Sequence, residues 1–188
     1  MAMTPEEKHV KRLNRLRDGL LKIDGRIGVN GRSAKSKAIN DVAKLFQKLV
    51  RLRAADSNGV ISCVLCGKRT PFNSQGMHGG HRWSRGGHSA TIFDERNVAP
   101  CCWICNSMNS GNIKAYDQWL DFRYPASEVQ SLRLKAKQVK SWGYDELAGM
   151  KIVYLDQIKI ESKRIENGEP PSERLLTLAE YESGGIEF

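Results

Sequence analysis

Apolar residues recur at helical spacing at both ends of the chain and lose that rhythm in the middle. Val10, Leu13, Leu16, Leu20 and Ile23 fall three or four residues apart, which predicts a first helix of about four or five turns. Thr4-Pro5-Glu6-Glu7 reads as its start, with a capping hydroxyl, a proline at the first helical position and two acids at the positive end. The glycine-rich stretch from Asp24 to Ser33 breaks it. A second helix is predicted from Ala34 to Ala55, with Ile39, Val42, Leu45, Phe46, Leu49 and Leu52 along one face and lysines and arginines on the other. Asp56–Gly59 stops it. Val60–Arg69 then alternates apolar residues with cysteines, as a short hairpin does. Thr70–Ala90 is irregular and glycine-rich, and Asn97–Cys102 reads as a short strand. A helix starting near Cys102 or just after Asn112 runs to Phe122, one from Pro125 to about Ser141, and a last one from Tyr144 to Ile165.

Charge divides the chain further. Residues 1–55 carry 14 Lys+Arg against 5 Asp+Glu, whereas residues 166–188 carry one basic and 6 acidic residues. A basic front half suits a polyanion, most often nucleic acid, and otherwise a solubilising surface. No apolar run has the length of a membrane span, and the N-terminal residues lack the apolar segment of a secretory signal, so a cytoplasmic protein is expected. The expected organisation is a basic helical region at 1–56, a core at 57–123, a helical region at 124–166 and an acidic flexible tail at 167–188.

Five cysteines are an odd number for a disulfide set, and four of them form two C-x-x-C pairs, Cys63/Cys66 and Cys102/Cys105. Two such pairs make a tetrahedral all-thiolate zinc site. Three residues lie between Cys101 and Cys105, one more than in a C-x-x-C pair, and Cys101 is left as the spare. Between the pairs lie 35 residues, more than the roughly 15–20 of a plain zinc ribbon, so the zinc-closed loop carries something.

That loop contains His78, His81, His88 and Asn97, and Asn106 follows the last zinc cysteine. A histidine on a first strand, an asparagine sixteen residues later and a polar ligand at the head of a helix match a ββα-metal (HNH) nuclease site. Phosphodiester hydrolysis needs a base that works near neutral pH, which His81 supplies. Asn97 is expected to orient its ring. Asn106, with His81 beside it, is the candidate site for a catalytic Mg²⁺ or Mn²⁺ that stabilises the phosphate and leaving oxygen. The zinc, saturated by four thiolates, is structural. The expected fold is α+β: a mostly helical chain around a small zinc-bound ββα-metal core.

These residues resemble the NinG/Rap family of phage recombination endonucleases. The shared pattern is Cys63-x-x-Cys66-Gly67, Gly80-His81, Phe93-x-Glu95-x-Asn97, Cys102-x-x-Cys105-Asn106, then Gly111-Asn112 and Tyr116, over about Val60 to Leu120. The resemblance implies cutting of branched DNA such as Holliday junctions and D-loops. Many HNH enzymes carry a metal ligand directly before the base histidine, and here that place is Gly80. Asp94, Glu95, His78 and water are the candidate replacements. Cys101 stands where the family often has glutamine, in keeping with its place outside the zinc site.

Lys35, Lys37, Lys44, Lys48, Arg51 and Arg53 are candidate contacts to backbone phosphates, with Arg82 and Arg85 beside the base histidine. Two cuts on one junction suit a homodimer. Two other readings fit the same residues: an HNH nicking enzyme on ordinary duplex DNA, and a non-catalytic zinc DNA-binding module that assists recombination.

Overall fold

The computed structural model describes residues 3–21 and 34–183. The side chains of Leu13, Leu16 and Leu20, the position Ile23, the glycine-rich break at 24–33 and residues 184–188 lie outside that description. Helix α1 (Pro5–Leu21) opens on a reciprocal cap: Thr4 N donates to Glu7 Oε2 at 2.7 Å and Glu7 N donates to Thr4 Oγ1 at 3.2 Å. It packs on the last long helix, where Arg12 reaches Asp156 at 3.1 Å.

Helix α2 (Ala34–Ala54) buries Ala38, Val42, Phe46, Leu49 and Leu52 on one face, while Ile39 and Leu45 stay half-buried at its margin. Each full burial of a Val, Leu or Phe side chain here stabilises by about 1.5–3 kcal/mol. The face packs against the long C-terminal helix Tyr144–Glu166. Phe46 stacks on Tyr154 at 5.4 Å, and Phe93 meets Trp142 edge-on at 4.8 Å. The end of α2 is held by Arg164, which donates to the carbonyls of Leu52 at 2.7 Å and Ala55 at 2.9 Å and pairs with Glu161 at 2.7 Å. The Leu52 carbonyl also accepts from Ala55 N at 3.1 Å, so the buried guanidinium is satisfied by carbonyls at the frayed end of the helix. The basic helix α2 therefore shares a core with the C-terminal helix.

Two small antiparallel sheets lie beneath. Strands β1 (Val60–Ser62) and β2 (Arg69–Pro71) pair through Ile61 and Thr70. Strands β3 (Met77–His81) and β4 (Val98–Cys102) pair with Gly79 opposite Pro100 and His81 opposite Val98. β3 arises in the stretch expected to be irregular, because glycines at 79 and 80 leave no side chains to show the strand's alternation. Pro100 cannot donate, but its carbonyl accepts from Val64 N at 3.0 Å and so joins β4 to the first cysteine knuckle.

After β4 the chain makes a π-helical turn (Ile104–Met108), then left-handed residues at Ser110, Gly111 and Asn112, then α3 (Ile113–Arg123). Helix α4 (Ala126–Ala136) ends five residues before the expected Ser141. The reason is lateral: Lys140 N donates to Ser89 Oγ at 2.8 Å and Trp142 Nε1 to Ser89 O at 2.9 Å, tying the segment to the 88–91 turn. α5 (Tyr144–Glu166) and the short α6 (Leu178–Glu182) follow.

The expectation of a free tail from 167 needs correction. Trp119 Nε1 donates to Leu176 O at 2.9 Å, Leu178 N donates to Val64 O at 2.7 Å, and Thr177 and Leu178 are buried. Residues 173–178 thus lie on the cysteine knuckle and α3.

Candidate functional site

The four cysteines expected to hold zinc converge. Their sulfur atoms all lie within 4.8 Å of one another, and Cys66 Sγ is 3.6 Å from Cys102 Sγ. Thiolates about 2.3 Å from a tetrahedral zinc are about 3.8 Å apart, so small side-chain adjustments would bring the four sulfurs onto such an ion. Cys63 and Cys66 sit in a knuckle closed by Gly67 N donating to Cys63 O at 2.9 Å; Gly67 has φ 72°, where a side chain would be strained. Cys105 N points at Cys102 Sγ at 3.5 Å, as expected for a donor to a thiolate. Cys63, Cys102 and Cys105 are part of a buried core with Ile61, Val64, Met77, Ala99, Tyr116 and Trp119, while Cys66 is exposed. Cys101 stays outside the four but is not idle. It is buried, and its thiol hydrogen-bonds Cys63, the main cause that holds Cys63 down to about 4.

Next to this cluster is a cavity of about 410 Å³, whose lining includes His81, Gln47, Arg85, His88, Asn106 and Gly111. His81 Nε2 lies 3.0 Å from the carbonyl of Ile92. A carbonyl only accepts, so Nε2 carries the proton and Nδ1 keeps its lone pair. Gln47 Nε2 lies 3.4 Å from that lone pair. Burial, opposed by the Ile92 bond and aided by the Arg85 charge, lowers His81 to about 4, so the ring is neutral at pH 7. Tyr116 fixes the strand that bears it, donating to Gly80 O at 3.0 Å.

Asn97 does not orient His81, contrary to expectation. Its buried amide accepts from Trp83 N at 2.8 Å and donates to Trp83 O at 3.0 Å and Thr91 O at 2.9 Å. It ties together the loop whose Ile92 carbonyl holds the ring. Asn106 shares the cavity with His81, yet its hydrogen-bond partner is His78: Asn106 Nδ2 is 2.9 Å from His78 Nδ1. The other proposed ligands are engaged elsewhere. Asp94 pairs with Arg96 at 2.9 Å and Lys135 at 2.7 Å, and Glu95 with Arg53 at 2.7 Å.

The basic residues also divide. Arg51 donates to the carbonyls of Phe72 at 3.2 Å and Met77 at 3.0 Å, so it braces the β2–β3 loop from within and is not set out for phosphates. Arg82 forms a two-pronged pair with Asp117 at 2.6 and 2.8 Å and is likewise a fold contact. Arg85 lines the cleft and also a neighbouring cavity of about 720 Å³, where it meets Lys35 and Lys140. Lys37, Lys44 and Lys48 are exposed on α2. Ile92 and Gln47 were not among the expected site residues. A backbone carbonyl leaves no mark in a sequence, and Gln47 is one amide among the charges of a basic helix.

The family model described as Bacteriophage Lambda NinG protein matches residues 4–166 of the chain. The chain is also 27% identical over 116 residues to "Protein ninG" of Salmonella phage P22, covering 62% of this chain and 55% of that protein. The chain thus spans about half the length of the curated relative it matches. No solved structure matches it.

Proposed function

The chain belongs to the family of the bacteriophage lambda NinG protein, and on that premise we propose that it is a zinc-stabilised, metal-dependent HNH endonuclease acting on branched recombination DNA in the host cytoplasm. The observation that carries this reading is the state of His81. One ring nitrogen is locked to a carbonyl, the other faces a cleft that also holds Asn106, and the ring is neutral at pH 7. A general base needs that combination of an unprotonated nitrogen, held here only by the 3.4 Å contact of Gln47, and a fixed direction. The succession β3, β4, the π-helical turn bearing Asn106 and then α3 supports this reading, with Cys105 anchoring the turn beside Asn106.

Among the described residues, Asn106 with its neighbour His78 would supply the side-chain donors for a divalent cation. Asn106 offers an amide oxygen packed so close to residue 80 that a Cβ there would meet it at 2.8 Å. Held from Asn106, such an ion would neutralise charge on the phosphate and the departing oxygen. His81 Nδ1 takes a proton from water as the water oxygen bonds to phosphorus and the bridging ester oxygen leaves. Gln47 yields its contact with Nδ1 to that water. Arg85 and Lys35 line the way in and hold neighbouring phosphates. A symmetric dimer would deliver two cuts to one junction.

The experiment is nicking of a labelled four-way junction and a linear duplex of equal length in Mg²⁺, Mn²⁺ and Ni²⁺. Junction cutting well above duplex cutting is expected. Equal cutting would make it a duplex nicking enzyme. Binding without cutting in every metal would make it a zinc DNA-binding module, the option that Gly80 favours.

A further inference from the structure

We propose that His78 and Asn106 together form a nitrogen–oxygen site for a divalent cation, one that selects Mn²⁺ or Ni²⁺ over Mg²⁺. The inference rests on the nuclease reading for the use of the ion, while its geometry stands separately. His78 and Gly80 are two apart on β3 and so share a face, opposite Cys101 and Ala99 of β4. On that face Asn106 closes over both residues. Its Nδ2 is 2.9 Å from His78 Nδ1, and a Cβ at position 80 would meet Asn106 Oδ1 at 2.8 Å and Cys101 Cβ at 2.9 Å. No side chain fits at 80, so a ligand directly before the base histidine is sterically excluded. The next position on the same face is His78.

The ring of His78 is already set as metal ligands are. Its Nε2 lies 3.2 Å from the carbonyl of Gln75, which can only accept, so Nε2 carries the proton and the Nδ1 lone pair faces Asn106. Here the amide N–H of Asn106 satisfies that lone pair. Half a turn of the amide would instead set Oδ1 beside Nδ1. Two lone-pair atoms at that distance repel unless a cation lies between them. Adjacent ligands about 2.1 Å from an octahedral ion are about 3.0 Å apart, which matches the spacing found. Water and substrate phosphate oxygens would fill the other positions. Asp94, Glu95 and His88 do not compete, because their partners are Arg96 and Lys135, Arg53, and the Ala136 carbonyl. An imidazole with an amide oxygen suits Mn²⁺ and Ni²⁺ better than Mg²⁺, which prefers oxygen alone.

The test titrates zinc-loaded full-length protein with Mn²⁺, reading free Mn²⁺ by electron paramagnetic resonance without DNA. His78→Ala should weaken Mn²⁺ binding at least tenfold with zinc content and melting temperature unchanged, and Asn106→Ala should do the same. His78→Asp should restore binding and let Mg²⁺ compete more effectively. Wild-type Mn²⁺ affinity in His78→Ala would overturn the site, as would an absence of Mn²⁺ binding by the wild type. Junction nicking run alongside separates the two readings. His78-dependent Mn²⁺ binding in a protein that never nicks upholds the site and sinks the nuclease. Nicking unaffected by His78→Ala sinks the site and leaves the nuclease.

Discussion

Replacing Gly79 by alanine probes how tightly the strand that carries His81 is pressed on α2. A Cβ there would meet Gln47 Cβ at 2.8 Å and Gln47 Cα at 2.9 Å, whereas carbon atoms pack best at about 3.5–4.0 Å. The clash is with helix backbone, so α2 and β3 must part by most of an ångström. They cannot do so freely, because Phe46, Leu49 and Leu52 of α2 are 0% exposed. Overpacking of this kind costs about 1–3 kcal/mol. The φ of Gly79 is not positive, so alanine brings no backbone strain, and a stiffer unfolded chain returns about 0.4–1 kcal/mol. The net expectation is a loss of about 1–2 kcal/mol. Urea unfolding of zinc-loaded protein should show a lower midpoint with an unchanged slope. Gly86→Ala is the control, since a Cβ there meets nothing within 4 Å. If Gly79→Ala were as stable as Gly86→Ala, the account of this contact would be wrong.

Asn97→Ala should destabilise by about 3 kcal/mol, because it strands three backbone partners at once, that of Thr91 fully buried; an unchanged unfolding midpoint would contradict its role as loop tie. Cys102→Ser should lose zinc by elemental analysis and the cooperative unfolding transition with it, since zinc binding is part of the folding energy. His81, with a folded value of about 4 against an ordinary 6.5, is neutral in both folded and unfolded chains above pH 6.5. Below that the unfolded chain takes up the proton first, so stability is lost as pH falls from 6.5 towards 4, by about 2 kcal/mol at pH 5. His81→Asn should flatten that loss between pH 7 and 5 with zinc content held constant, and an identical loss in the variant would place the burden elsewhere.

The parts legible in the sequence were those with short-range causes. Thr4 and Glu7 cap a helix because they are three residues apart, and the four cysteines meet because each pair is already curled around one point. Long-range commitments were not legible. Arg51 and Arg82 read as surface cations, but their partners are backbone carbonyls of a loop and an aspartate 35 residues away. Asn97 was picked out for its position, yet its partners depend on the path of the intervening loop. The start of the acidic tail reads as loose by composition, while Leu178 and the Leu176 carbonyl decide otherwise.

The central claim is that His81 is the base of a nuclease whose zinc is only structural. Wild type and His81→Ala, matched for zinc content and junction affinity, should be compared for nicking of a four-way junction in Mn²⁺. Nicking by the wild type and its loss by at least a hundredfold in the variant is the predicted result. Equal nicking by both, or none by the wild type in any divalent metal, would contradict it.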